Sequence, residues 1–375
     1  MLAAPSMAAD KVKIGFLATF TGGVGVIGDD MRNAFELGLD HLGRKMGPLD
    51  VEVIYEDDDF KPDVGKQKTE KLVKRDRVNF VTGHMWSHVL LASYNSVVGQ
   101  GPFLISANAG PSQIAGTLCH PDFFSTSWQN DQTPMAMGEV MNQEGIDNVY
   151  LMAPNYAAGK NMMEGFKRSF KGRIVGEDLT KFPDQVDFSA EMAKIRAANP
   201  KAVFIFYPGK FGAQFFTQYQ QAGLKGKIPL YSAFTVDALN LPLLKDLAVG
   251  NLMTQFWSPD LDNPVNKRFV AEFKKKYGTF PSFYAAQSYD AAMLINSAVV
   301  AVKGDLTRKD AMRAAMEKAD FPSVRGKFRY GNNHFPIQNF YLREAVKNDA
   351  GEYTTRTIRV VLKDHQDPYA SECKM

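Results

Sequence analysis

The sequence predicts an α/β protein of two doubly wound parallel sheets, each a Rossmann-like unit. Three observations carry this. Short strands that are apolar throughout, as strands covered on both faces must be, alternate with amphipathic helices. The alternation runs to residue 106 and restarts after residue 128 with the same architecture and a different sequence. At 375 residues the chain is long enough for two domains, each with its own core.

Residues 11–18 (KVKIGFLA) form the first strand, which enters a glycine-rich turn ending at Gly28. A helix over 29–42 follows: Met31, Phe35, Leu39 and Leu42 recur at helical spacing, and Asp29 and Asp30 suit its positive end. The turn is a poor phosphate loop. Its glycines miss the GxGxxG register, no Gly-Lys-Ser/Thr follows, and the acidic helix start would repel a pyrophosphate. The second strand, 51–56, ends in Glu56-Asp57-Asp58-Asp59. Calcium-loop spacing is missing there, so these residues read as capping and solvating a helix over 62–75. A strand over 78–82 leads through Gly83-His84-Met85-Trp86-Ser87 into a helix, and a strand over 103–106 ends in Ala107-Asn108-Ala109-Gly110. Ligands of open parallel sheets bind outside the carboxyl ends of strands, where loops meet helix N-termini. These two neighbouring loops therefore form a candidate half-site, with ordinary connections as the plain alternative.

The second unit reads as helix 131–143, strand 148–153, helix 159–170, strand 174–179, helix 188–198, strand 202–207, helix 211–222, and strands 228–232 and 252–256. Long helices return at 264–277, 282–303 and 307–319, with apolar faces that need a sheet to cover. Residues 340–346 and 354–362 alternate like antiparallel strands around the turn Asn348-Asp349-Ala350-Gly351.

Composition narrows the class. Forty-five per cent of residues are hydrophobic and 23% charged, with 44 basic against 41 acidic side chains and no basic stripe, which sets nucleic acid aside. No apolar run is long enough to span a bilayer. Residues 1–10 are alanine-rich, and Ser6-Met7-Ala8 and Met7-Ala8-Ala9 resemble the small-x-small end of a secretory signal. They read as a signal remnant on an exported chain, a plain tail being the alternative. Cys119 and Cys373 would suit one disulfide there; two unrelated thiols are the alternative.

No catalytic set is present: the sequence has no GxSxG, HExxH or CxxC, and of six histidines only His84 and His88 are close. That pair lacks a third ligand for zinc, so neither metal nor cofactor is expected. Instead, aromatic and amide residues gather at strand ends: Trp86-Ser87, Asn108, Trp128-Gln129, Asn155-Tyr156, Tyr207, Phe234-Thr235 and Gln255-Phe256-Trp257. A few polar groups among aromatic walls suit a small-molecule site.

The order KIGFLATFTGGVGVIGDDMRNAFELGLD, VNFVTGHMWS, PFLISANAG, NYAAGKNMMEGF and FPSFYAAQSYDAAMLI resembles the type I periplasmic binding proteins, nearest the branched-chain amino-acid receptors of ABC transporters. The resemblance covers Lys11 to about Leu362. It implies two lobes joined by three crossovers and closing by hinge motion on a ligand. The lobes would be 11–126 with 258–328, and 127–257 with 329–375. It implies a monomer in the periplasm that delivers its ligand to a membrane permease. Ser87 would hold a ligand carboxylate, Asn108, Ala109 and Gly110 would continue the grip, and Tyr156 and Tyr207 would close from the second lobe. The turn at 21–28, with Phe20 and Ile27, would form a pocket wall.

Two departures argue against an amino acid. The family usually has a hydroxyl residue where this chain has Gly110, and a second-lobe acid near Phe234 and Thr235, where Asp237 is the only neighbour. An unpaired ammonium in a closed cleft is costly. With Trp86, Phe234 and Trp257 available, the expected ligand is a small aromatic carboxylate, benzoate- or phenylpropanoid-like. The tail Tyr369-Ala370-Ser371-Glu372-Cys373 resembles receptors of that kind. An amino-acid receptor and a ligand-sensing regulatory domain remain the alternatives.

Overall fold

A computed structural model of the protein describes residues 11–375, so the expected signal remnant at 1–10 lies outside the described residues. The chain opens with β1 (Lys11–Ala18), α1 (Gly25–His41), β2 (Lys45–Met46), β3 (Leu49–Asp57), α2 (Pro62–Glu70) and β4 (Phe80–Gly83). It continues through α3 (Ser87–Ser93), β5 (Phe103–Ser106), α4 (Ser112–Ala115) and β6 (Phe123–Ser125). The first sheet has the order β2-β3-β1-β4-β5-β6 and is parallel except for β2. In β1 every residue from Ile14 to Ala18 is buried, so helices cover both faces.

The second sheet is built from α5 (Gln132–Gln143), β7 (Asn148–Pro154), α6 (Ala157–Ser169), β8 (Arg173–Thr180), α7 (Ser189–Ala198), β9 (Ala202–Ile205), α8 (Lys210–Gln221), β10 (Leu230–Ala233), α9 (Leu241–Leu244) and β11 (Leu252–Gln255). The chain then returns to the first sheet as α10 (Pro264–Tyr277), α11 (Phe283–Ala301) and α12 (Lys309–Glu317). Helix α11 packs on α1: Ser288 Oγ donates to the Met31 carbonyl at 2.8 Å. A Cβ on Gly38 would already stand 3.0 Å from that of Ala292, so the glycine permits this close approach. Last come β12 (Arg329–Tyr330), β13 (Pro336–Lys347) and β14 (Tyr353–His365), giving the order β12-β13-β11-β10-β9-β7-β8 with β14 antiparallel on β13.

Three expectations need correction. The helix over 62–75 is α-helical only to Glu70; Lys71–Arg75 is a wider π turn, which presents Lys71 to Glu56 beside Lys68. The short strands β2, β6 and β12 are too brief for a hydrophobic run to announce them. Strand β9 stops at Ile205, two residues before its expected end. The aspartate run behaves as turn chemistry: Asp57 Oδ1 accepts from Phe20 and Asp59 amides, Asp58 Oδ1 from the Phe60 amide, and Asp59 pairs with Lys61.

The chain crosses between the sheets after β6, after β11 and after α12. Arg325, on the third crossing, is 3% exposed at its side chain and touches the other two. Its Nε donates to Asp290 Oδ2 of α11 at 2.9 Å, and its Nη1 to Gln338 Oε1 of β13 at 2.8 Å and to the Ser127 carbonyl at 3.4 Å. Its guanidinium also lies 5.6 Å from the Phe256 ring. Beyond β14 the tail returns to the first lobe, where Cys373 is disulfide-bonded to Cys119 with the Cα atoms 5.7 Å apart.

Candidate functional site

The carboxyl ends of β4 and β5 face those of β7, β9 and β10 across the cleft, which in this closed form encloses a small cavity of about 20 Å³. After β4 the backbone turns through His84 in the left-handed region (φ 46°) and starts α3 at Ser87. Ser87 is 2% exposed, and its Oγ accepts from Asn130 Nδ2 at 3.1 Å, which leaves its own proton free to donate. Opposite, Tyr156 precedes the first turn of α6, and Ala158 of that turn also lines the space. Helix geometry leaves the first amides of α3 and α6 without carbonyl partners, so two positive helix ends meet one cavity. No Lys, Arg, Asp or Glu lines it. A larger space of about 240 Å³ lies at the amino ends of β10 and β11 and contains none of the expected residues.

Aromatic rings form two walls. One joins the lobes: Trp86 lies 6.0 Å from Tyr156 and 5.9 Å from Phe182, and Phe60 lies 5.2 Å from Phe182, centroid to centroid. Trp86 is held in place because its indole donates to Thr19 Oγ1 at 2.7 Å. The other wall stacks Trp128 on Phe234 at 4.3 Å, with Phe283 4.9 Å from Phe234. Phe234 holds a left-handed backbone (φ 58°), a costly conformation for a bulky residue and one concentrated at functional sites. Phe206 bridges the walls, 6.4 Å from Tyr156 and 6.3 Å from Phe234. The lobes are closed on each other: Asn161 Nδ2 of α6 donates to Ser112 Oγ of α4 at 3.1 Å.

Of the expected residues, Trp86, Ser87, Asn108, Ala109, Tyr156 and Phe234 line this space. Asn108 is committed at both ends, donating to the Met85 carbonyl at 2.6 Å and accepting from Gln287 Nε2 at 2.5 Å. It holds loops together. Gly110 stands behind the wall, where a Cβ would come 2.0 Å from the Trp128 carbonyl oxygen; the first crossing leaves no room for any side chain. Five others lie elsewhere. Tyr207 turns into the second lobe, where its hydroxyl meets Thr180 Oγ1 at 2.9 Å and its ring stacks on Phe215. Thr235 Oγ1 accepts from the Tyr207 amide at 2.9 Å, and the Trp257 indole donates to Asn266 at 2.8 Å. Phe20 packs near Tyr55 beneath Arg32 within the first lobe, and Ile27 faces Gly209 of the other lobe, its Cδ1 3.2 Å from where a Cβ on that glycine would stand. Sequence reasoning placed Trp128 among the aromatic residues at strand ends without assigning it a role, and did not nominate Asn130 on the first crossing, Phe206, or Phe283 and Tyr284 at the start of α11, although FPSFYAAQSYD contains the last two.

Charge is kept out of the wall. Asp237 is 2% exposed, accepts from the Leu239 amide at 2.9 Å, and is pushed up to about 7 by burial. Burial raises Asp30, which accepts from Ser282 Oγ, to about 7 as well. Neither lines the space. His84 is fully buried with both ring nitrogens unpaired, and burial pulls it down to about 3, so it stays neutral. His88 Nε2 instead faces the Phe60 carbonyl at 3.4 Å, and among the described residues no three His, Cys, Asp or Glu converge as metal ligands.

Comparison with known proteins agrees with this fold. Residues 11–352 match the model of the periplasmic binding protein family. A Leu/Ile/Val-binding protein homolog 6 of Brucella melitensis is 29% identical over 374 residues, covering 96% of this chain and 94% of that one. The solute-binding protein of an ABC transporter from R. palustris, solved in complex with benzoate, superposes with a TM-score of 0.91 at 31% identity, covering 97% of this chain and 100% of that one. Another from Rhodopseudomonas palustris BisB5, in complex with 3,4-dihydroxybenzoic acid, has a TM-score of 0.87 at 27% identity, covering 96% and 99%.

Proposed function

Because the chain belongs to the periplasmic binding protein family, we propose that it is the solute-binding component of an ABC importer and captures a small aromatic carboxylate between its lobes. The observation that carries the reading is the cavity itself: two helix N-termini and a buried serine hydroxyl converge on a space walled by aromatic rings and free of acids. The carboxylate would take the Ser87 hydroxyl and the first amides of α3 and α6, a preorganised anion site. The ring would lie between the Trp86 and Trp128 walls. The similar proteins solved with benzoate and 3,4-dihydroxybenzoic acid support this ligand class. On this reading the protein is a periplasmic monomer that presents its closed form to a membrane permease and performs no chemistry on its ligand.

A branched-chain amino acid is the second reading, favoured by the relatives named for leucine, isoleucine and valine. It lacks a wall carboxylate for the ammonium, since Asp237 stands behind and holds its proton near neutral pH. A thermal-shift panel of benzoate, hydroxybenzoates, cinnamate, leucine and valine separates the two. Aromatic acids should raise the melting temperature; stabilisation by leucine or valine alone would refute the ligand assignment. A sensory role on the same scaffold is tested by whether permease and ATPase genes adjoin this one.

A further inference from the structure

The donors in the cavity exceed what one carboxylate can use. A carboxylate offers about four lone-pair positions, which Ser87 and the amides opening α3 and α6 fill. Three donors remain: the indole N–H of Trp128 and the phenols of Tyr156 and Tyr284. Trp128 is 3% exposed and its Nε1 has no hydrogen-bond partner among the described residues. Tyr284 is 4% exposed, and neither phenol makes a hydrogen bond among the described residues. Burial holds both phenols far above their ordinary range, so they stay protonated.

Trp128 also cannot turn away. Its ring lies nearly parallel to Phe234 and Phe256, with interplanar angles of 30° and 32°, and Phe283 stands across it at 68°. Its carbonyl is pressed on Gly110, and the Asn130 amide bonds the Gly110 carbonyl at 2.8 Å. A buried donor without an acceptor is destabilising, and an indole N–H can only donate, so what satisfies it must be an acceptor.

We propose that the ligand carries a second oxygen, a hydroxyl or ether on its ring, and that Trp128 is the residue that reads it. The inference rests on the aromatic-carboxylate reading and narrows it to oxygenated ring acids. A methyl group of matching size leaves the indole unpaired, whereas a methoxy group, which accepts without donating, satisfies it. Selection of this kind is strong where a site is built to hydrogen-bond a substituent.

Calorimetry on the intact protein compares 3- and 4-methylbenzoate with their methoxy and hydroxy counterparts. At least one oxygenated position should bind about tenfold or more tighter than its methyl isostere, and Trp128→Phe should narrow that ratio to below about threefold. The chain has three tryptophans, so the Trp128 indole N–H can also be followed by NMR without any variant. It should shift with the methoxy acid and not with the methyl acid. Equal affinity of methyl and methoxy acids at both positions, or an indole resonance that responds alike to both, overturns the inference while leaving the carboxylate reading intact. Binding of no aromatic carboxylate overturns both.

Discussion

Ser87→Ala is the sharpest test of the anion site, because the structure separates its effect on binding from its effect on folding. Ser87 Oγ accepts from Asn130 Nδ2 at 3.1 Å, but the same nitrogen also donates to Asn161 Oδ1 at 3.2 Å. Removing the hydroxyl leaves that amide one acceptor for its two hydrogens, so the melting temperature should fall only modestly. Alanine keeps the amides that open α3, so the positive helix end survives. The ligand loses one hydrogen bond to a charged group, about 1.5–3 kcal/mol. At about 1.4 kcal/mol per decade, affinity should fall roughly 10- to 150-fold. Ser93→Ala, at the far end of the same helix and also buried, is the control and should leave affinity unchanged. Calorimetric titration of both variants with an aromatic acid decides the matter. If Ser87→Ala binds within threefold of the parent while melting normally, the carboxylate does not sit on Ser87.

Further outcomes follow from the same structure. Gly110→Ala should cost about 1–3 kcal/mol by overpacking, since its Cβ would meet the Trp128 carbonyl at 2.0 Å; an unchanged denaturant midpoint would show that the first crossing yields freely. Asp30 and Asp237, both raised by burial to about 7, bind protons in the folded state that the unfolded chain releases near pH 4. The stability they confer is complete below about pH 4 and is lost as pH rises through about 7. Between pH 6 and pH 8 each accounts for about 1.4 kcal/mol, so the protein should melt lower at pH 8, and Asp30→Asn with Asp237→Asn should flatten that difference. Cys373→Ser releases a loop of 254 residues, a loss of about 5 kcal/mol in the chain-entropy model. Two titratable thiols in the denatured, unreduced protein would contradict the bridge itself.

Much of the scaffold was legible because burial on both faces writes itself as unbroken apolar runs. KVKIGFLA and NVYLMA needed no context, and both are strands. The site was legible only in part, and side-chain parity explains one failure. Reading β9 through Tyr207 put that ring at the cleft, but the strand ends at Ile205, so Phe206 faces the cavity and Tyr207 faces Phe215. Trp257 sat at an expected strand end, yet Asn266, nine residues on, captures its indole. Phe283 and Tyr284 reach the cavity from a helix that begins 28 residues after the last second-lobe strand before the chain returns to the first sheet, β11. No local spacing carries such a contact; only the order of motifs along the whole chain pointed to it. Gly110 teaches the same lesson from the other side. Its lack of a hydroxyl looked like a statement about ligand chemistry, and the structure traces it to the Trp128 carbonyl on the first crossing.

The contacts of Arg325 bear on how the molecule can move. One guanidinium reaches α11, β13, Ser127 and Phe256, so it is fastened to both lobes and to every strand that passes between them. Three independent connections would let the lobes twist, slide and gape in several directions. Pinned at a common point, they keep a single axle, and opening becomes a swing about it. Every excursion then returns Trp86 and Tyr156 to the same facing positions, so the mouth re-forms identically at each encounter. A side chain far from the ligand would thereby set how reproducibly the cleft shuts.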